Sequence, residues 1–99
     1  MSEISATKKY EGWTFLTNHF HVIMLLYTES DLTVRELALR IGITERSVQR
    51  IVTELVSSGA MTMKKSGRCN TYDLDLEYHL RHPLESHQTV GSLLKALVG

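Results

Sequence analysis

The sequence predicts a mainly α fold with a small β-hairpin and a C-terminal helix. Three observations carry that expectation. Apolar side chains recur at helical spacing through residues 13–29, 33–58 and 87–98. Between the second and third of these stretches, Ala60-Met61-Thr62-Met63-Lys64 and Tyr72-Asp73-Leu74-Asp75-Leu76 alternate with the period of a strand. The residues that separate them, Lys65 to Thr71, are rich in turn formers, so the two strands read as a hairpin with a basic tip.

Length and composition set the frame. A chain of 99 residues has the size of one domain. With 42% hydrophobic and 22% charged residues it is ordinary for a globular protein, which argues against a disordered chain. No apolar run approaches the ~18–20 residues that a membrane span needs. The start, Met1-Ser2-Glu3-Ile4-Ser5, lacks the basic segment and apolar stretch of a signal peptide. A single cysteine, Cys69, cannot form an intramolecular disulfide and fits a reducing cytosol. A cytoplasmic location is expected, with no membrane partner.

The elements follow in order. Residues 1–12 are polar up to Gly12 and read as a mobile N-terminal arm. Residues 13–29 place apolar side chains at 16, 20, 23, 24 and 27. Trp13, Phe15 and Leu25 lie off that stripe, so this helix is expected to bury two faces. Asp31-Leu32 is a short connector with one strand-like step. Thr33 and Glu36 have the spacing of a capping box. The helix they open turns Val34, Leu37, Ala38 and Ile41 inward, and Gly42 stops it. Thr44 is the expected cap of the next helix, 45–58, with Val48, Ile51, Val52, Leu55 and Val56 inward and Gly59 at its end. Met61 and Met63 are expected to fill gaps under the hairpin. Residues 77–86 are irregular and contain Pro83. Ser86 is the expected cap of the last helix, 87–98, with Val90, Leu93, Leu94 and Leu97 on one stripe.

Residues 33–59 are the most demanding stretch. Two short helices are joined by a few residues with a glycine in the turn, the sequence form of a helix-turn-helix. Ala38, four residues before Gly42, is small enough for the second helix to cross closely. Leu37, Ile41, Ile43, Val48 and Ile51 supply the apolar positions on either side of the turn. A helix-turn-helix followed by a basic hairpin makes a winged helix-turn-helix: helix, strand-like step, helix, helix, strand, wing, strand. Residues 13–76 form this domain, and 77–99 a linker and C-terminal dimerisation helix.

Residues 16–83 resemble winged helix-turn-helix transcriptional regulators of the ArsR/MarR type. The likeness is carried by Thr33-Val34-Arg35-Glu36-Leu37-Ala38, by the run Ile41 to Val52, and by Gly67-Arg68-Cys69-Asn70-Thr71-Tyr72. It implies DNA binding. It also implies dimerisation through helices that flank the domain.

The residues themselves assign the same roles. With Val48, Ile51, Val52 and Leu55 inward, the outer face of the second helix near its start is Thr44, Glu45, Arg46, Ser47, Gln49, Arg50 and Thr53. In helix-turn-helix docking that part enters the major groove. Arg46 and Arg50 share a face and suit a guanine edge, and Gln49 suits adenine. Thr44, Ser47 and the helix start suit phosphate oxygens. Arg35 is a candidate backbone contact, and Lys64 and Lys65 would neutralise phosphates. Arg68 at the wing tip suits a narrow minor groove. Asn70 is a DNA candidate that serves equally to hold the wing turn. Tyr72 reads as packing, and Glu45 and Glu54 as solvent-facing or ion-paired.

The candidate dimer interface comprises Trp13, Phe15, Val90, Leu93, Leu94 and Leu97, although the last helix has the alternative of folding back on its own domain. A two-fold dimer would set two reading helices about 34 Å apart and predicts an inverted-repeat operator in double-stranded DNA. Other classes fare worse. His19, His21, His79, His82 and His87 invite a metal, but His19 and His21 diverge on a helix and no cysteine pair exists. No metal and no cofactor are expected. Cys69 beside Arg68 is a candidate thiol sensor, with an inert thiol as the simpler reading. No nucleophile–base motif or phosphate loop appears, so the chain is not expected to be an enzyme. The rival reading is a winged-helix protein-interaction module in a larger complex.

The net charge is zero, with 11 Lys and Arg against 11 Asp and Glu. It is unevenly placed. Residues 33–72 hold seven Lys and Arg against three Glu and carry +4, while the remainder carries −4. Zero therefore describes a basic reading segment between acidic flanks.

Overall fold

The computed structural model describes residues 12–67 and 69–99, without the side chain of Ser66. The expected arm, residues 1–12, lies outside the described residues except for Gly12. Six elements follow: α1 (Asn18–Thr28), α2 (Val34–Ile41), α3 (Glu45–Ser58), β1 (Met61–Ser66), β2 (Cys69–Leu74) and α4 (Val90–Leu97).

Each helix starts where a threonine can accept from its first turn. Thr17 caps α1 by accepting from the Phe20 N–H. Thr33 caps α2 in a reciprocal box with Glu36. Thr44 caps α3 by accepting from the Ser47 N–H. The first helix is thus shorter than its apolar pattern, because Trp13 and Phe15 precede the cap. Gly42 ends α2 with φ 87°, a left-handed conformation that a side chain would strain. In that turn the N–H groups of Gly42 and Ile43 both donate to the Ala38 carbonyl, at 2.8 and 3.1 Å.

The core is one cluster. Val22 and Leu26 of α1, Leu37 of α2, Val48 and Ile51 of α3, Met61 of β1 and Leu94 of α4 are its most deeply buried members. The α1 stripe is rotated from the expected one. Phe20 and Ile23 are buried as expected, but Val22 and Leu26 join them while Tyr27 faces out. In α2 and α3 the expected inward residues are buried or half-buried.

The hairpin is antiparallel and pairs Met61 with Leu74 and Met63 with Tyr72. It is the whole sheet among the described residues. The strand-like step at Asp31-Leu32 is not a strand: the Leu32 N–H turns back to the Glu29 carbonyl at 3.4 Å, and the side chain is buried. Tyr72 is buried, as its packing role requires. Met61 is buried too, but Met63 is 42% exposed, because two residues further along β1 the hairpin has moved toward its tip.

The last helix starts later than expected. Its cap is Thr89, in a box with Ser92, and Ser86 lies in the preceding turn. The reason is tertiary. The Val90 N–H donates to the Tyr78 carbonyl at 2.8 Å and the Leu80 N–H to the Gln88 carbonyl at 3.0 Å. These bonds hold residues 78–89 as an irregular loop folded onto itself, and the helix begins only at Val90.

Candidate nucleic-acid interface

Burial of one side of α3 decides what the other side can do. Val48, Ile51, Val52 and Leu55 are buried against the core. Arg46, Gln49, Arg50 and Thr53 are therefore exposed together on the outer face. At the start of α3 the Thr44 hydroxyl accepts from the Ser47 N–H at 3.0 Å and donates to the Ser47 hydroxyl at 2.9 Å. Both hydroxyls are thus engaged in the cap, with Thr44 exposed and Ser47 half-buried.

The other candidates lie on neighbouring elements. Arg35 is exposed in the first turn of α2. Lys64 and Lys65 are exposed on β1, and the half-buried Asn70 pairs in register with Lys65. Arg68 falls outside the described residues. Arg40, unassigned from sequence, forms an ion pair with Glu29 at 2.5 Å.

Glu54, read from sequence as solvent-facing or ion-paired, has two partners, one of them on α1. Glu54, one turn beyond Arg50, lies 3.5 Å from the Arg50 guanidinium and 2.7 Å from His19 Nε2. The His19 hydrogen bond, with the nearby positive charge of Arg50, holds the Glu54 carboxyl below its ordinary pKa. The Arg50–Glu54 pairing is legible from i,i+4 spacing. His19 lies 35 residues away in the chain, so no local signal announces it.

Three other histidines are separately engaged. His21 Nδ1 is 3.0 Å from Asn18 Oδ1, and burial lowers its pKa. His79 Nδ1 donates to the Ser86 carbonyl at 2.7 Å, and His82 Nδ1 accepts from the Leu84 N–H at 3.0 Å. Among the described residues no group of three or more His, Cys, Asp or Glu is placed to hold a metal ion. Cys69 is exposed and free.

The dimer candidates divide. Trp13 and Phe15 are 74% and 92% exposed and stack edge to face with ring centres 4.8 Å apart. Val90 and Leu94, by contrast, are buried in the chain's own core, Leu94 completely. They are occupied by the fold and cannot face a partner. The apolar stripe of α4 seats the helix on its own domain, with the half-buried Leu93 packed against the same core and Leu97 left exposed. No helix among the described residues is long and apolar enough to cross a membrane.

The family comparison agrees with the helical part of this architecture. A family described as winged helix-turn-helix DNA-binding matches residues 16–60, from the approach to α1 through the end of α3. Among solved structures, the chain is similar to the zinc-dependent MarR family transcriptional regulator AdcR in its Zn(II)-bound state. Identity is 29% and the TM-score 0.48, over 66% of this chain. The match spans about half (47%) of that protein's chain. No curated protein sequence matches. The matched region contains the helix-turn-helix, and the hairpin that follows supplies the wing: the fold is a winged helix-turn-helix, and residues 16–60 of it are similar to a DNA-binding family of that fold.

Proposed function

We propose that the protein is a sequence-specific transcriptional regulator that binds double-stranded DNA as a homodimer on an inverted-repeat operator. In this reading α3 enters the major groove, where Arg46, Gln49 and Arg50 read base edges. Thr53, the start of α3 with Thr44 and Ser47, and Arg35 lie along the phosphates. The wing reaches the minor groove with Arg68, while Lys64, Lys65 and Asn70 line its approach. One observation carries the reading: the exposed Arg46, Gln49 and Arg50 stand side by side on a helix whose opposite face is anchored in the core. A charged helix face is often merely solvated. Here it belongs to the second helix of a DNA-binding helix-turn-helix, within the +4 segment of a neutral chain.

The exposed Trp13–Phe15 pair and Leu97 favour a second copy as the partner of the apolar surface, in line with flanking-helix dimerisation. The experiment is a titration against duplexes selected from a randomised pool, at two salt concentrations. Expected is salt-dependent binding with a clear base preference. In Arg50→Ala, specific binding weakens by about 1–3 kcal/mol, while Lys65→Ala mainly lowers the salt slope. Affinity without salt dependence would instead favour the protein-interaction module. Unchanged base preference in Arg50→Ala would remove Arg50 from the reading set.

A further inference from the structure

The outer face of α3 carries an acid where a DNA-facing surface would ordinarily avoid one. Glu54 sits one turn beyond Arg50, and a carboxylate near phosphates opposes the cation-driven part of DNA binding. It is not isolated. Its Oε1 is 3.5 Å from Arg50 Nη1 and 2.7 Å from His19 Nε2. One oxygen therefore links a candidate base-reading arginine of α3 to α1, the helix packed behind it.

All three side chains are substantially exposed. Exposed ion pairs contribute little to stability, so the triad is a poor stabilising device. Its clearer effect is on orientation. An arginine at a helix surface has many rotamers, and a carboxylate at i+4 restricts the directions that its guanidinium can take. A carboxylate would swing as freely itself, but the His19 bond, made from another helix, holds it. The groove beside this triad, between α1, the end of α3 and residues 78–90, also presents Arg81, His82 and Glu85. None of these three makes an ion pair with Glu54 among the described residues.

We infer that Glu54 is a specificity-determining positioning residue: braced by His19, it holds Arg50 for base reading and opposes its use as a general phosphate contact. The inference rests on Arg50 reading a base edge, as proposed above. It deepens that reading by giving an acidic residue and a residue of α1 a part in sequence discrimination.

The test uses the full chain, a duplex selected by the wild type from a randomised pool, and a scrambled duplex of the same composition. The quantity read is the ratio of the two affinities. In Glu54→Gln the affinity for scrambled DNA rises and the ratio falls about fivefold or more, within the range that one bidentate base contact supplies. His19→Ala lowers the ratio in the same direction by a smaller factor. Arg50→Ala lowers it too, and adding Glu54→Gln to Arg50→Ala brings no further loss, because the two act through one contact. Thermal unfolding of each variant separates a folding defect from lost discrimination. A ratio unchanged in Glu54→Gln, while Arg50→Ala loses it, overturns the inference and leaves Arg50 as a base reader. A ratio unchanged in Arg50→Ala overturns the Arg50 assignment and the inference with it. A ratio unchanged in His19→Ala removes the brace from the scheme.

Discussion

Thr33 and Glu36 close the start of α2 on each other: the Thr33 hydroxyl accepts from the Glu36 N–H at 3.1 Å, and the Glu36 carboxylate accepts from the Thr33 N–H at 2.8 Å. This pair sets where the supporting helix of the helix-turn-helix begins. Thr33→Ala should cost about 1 kcal/mol of folding stability, measured by urea unfolding. The bond from the Thr33 N–H, followed by that with its hydroxyl, lowers the Glu36 pKa from its ordinary 4.5. Its contribution is thus present above pH 4.5 and is lost as the pH falls through the lowered folded-state value. A Glu36 carboxyl that titrates at or above the ordinary value by NMR would contradict the box.

Gly91 makes an opposite case. A glycine in the first turn of a helix looks like an easy site for alanine, whose helix propensity is better by roughly 1 kcal/mol. Yet a Cβ there would lie 2.8 Å from the Leu76 backbone oxygen and 3.1 Å from the Leu76 Cβ. The Gly91 N–H also donates to that same oxygen at 2.9 Å. Gly91→Ala should therefore destabilise, by roughly 1–3 kcal/mol, as α4 is pushed off the segment after β2. A raised melting temperature would show that the helix can shift without cost.

Leu94 is where sequence and structure lead to different experiments. On the stripe alone, Leu94→Glu should convert a dimer to a monomer. With Leu94 fully buried, the same change should unfold the protein, and Leu94→Ala should cost roughly 2–5 kcal/mol. Tests of self-association belong at Leu97 and Trp13. Leu97→Glu combined with Trp13→Ser should shift the protein from dimer to monomer in sedimentation while leaving its melting temperature nearly unchanged. A wild type that sediments as a monomer removes the dimer.

His21 should titrate below its ordinary pKa of 6.5, because partial burial disfavours the charged ring. A lowered folded-state value means that the fold favours the neutral form. Stability is then held above pH 6.5 and declines as the pH falls through the lowered value. His21→Gln should flatten that part of the stability profile. A His21 ring titrating above 6.5 by NMR would sink this account.

Local chemistry explains why so much of the fold was legible. Capping threonines, Gly42 and the apolar face of α3 act over three or four residues, within reach of pattern reading. The range of α3 and the box at Thr33 emerge for that reason. What misled lay at the ends. Ser86 and Thr89 are both competent caps, and only the backbone bonds from Val90 to Tyr78 and from Leu80 to Gln88 choose between them.

The candidate site shows the same division. The sequence by itself determined a helix-turn-helix with Arg46, Gln49 and Arg50 outward and a basic hairpin behind it, because an amphipathic period allows one assignment of inside and outside. The tertiary structure alone decided that α4 spends Val90 and Leu94 on its own core, and that His19 reaches Glu54 and, through it, Arg50. The physical reason is sequence distance. A stripe of leucines states that a face will be covered but not by what, and a side-chain hydrogen bond across 35 residues has no local signature until packing brings its helices together.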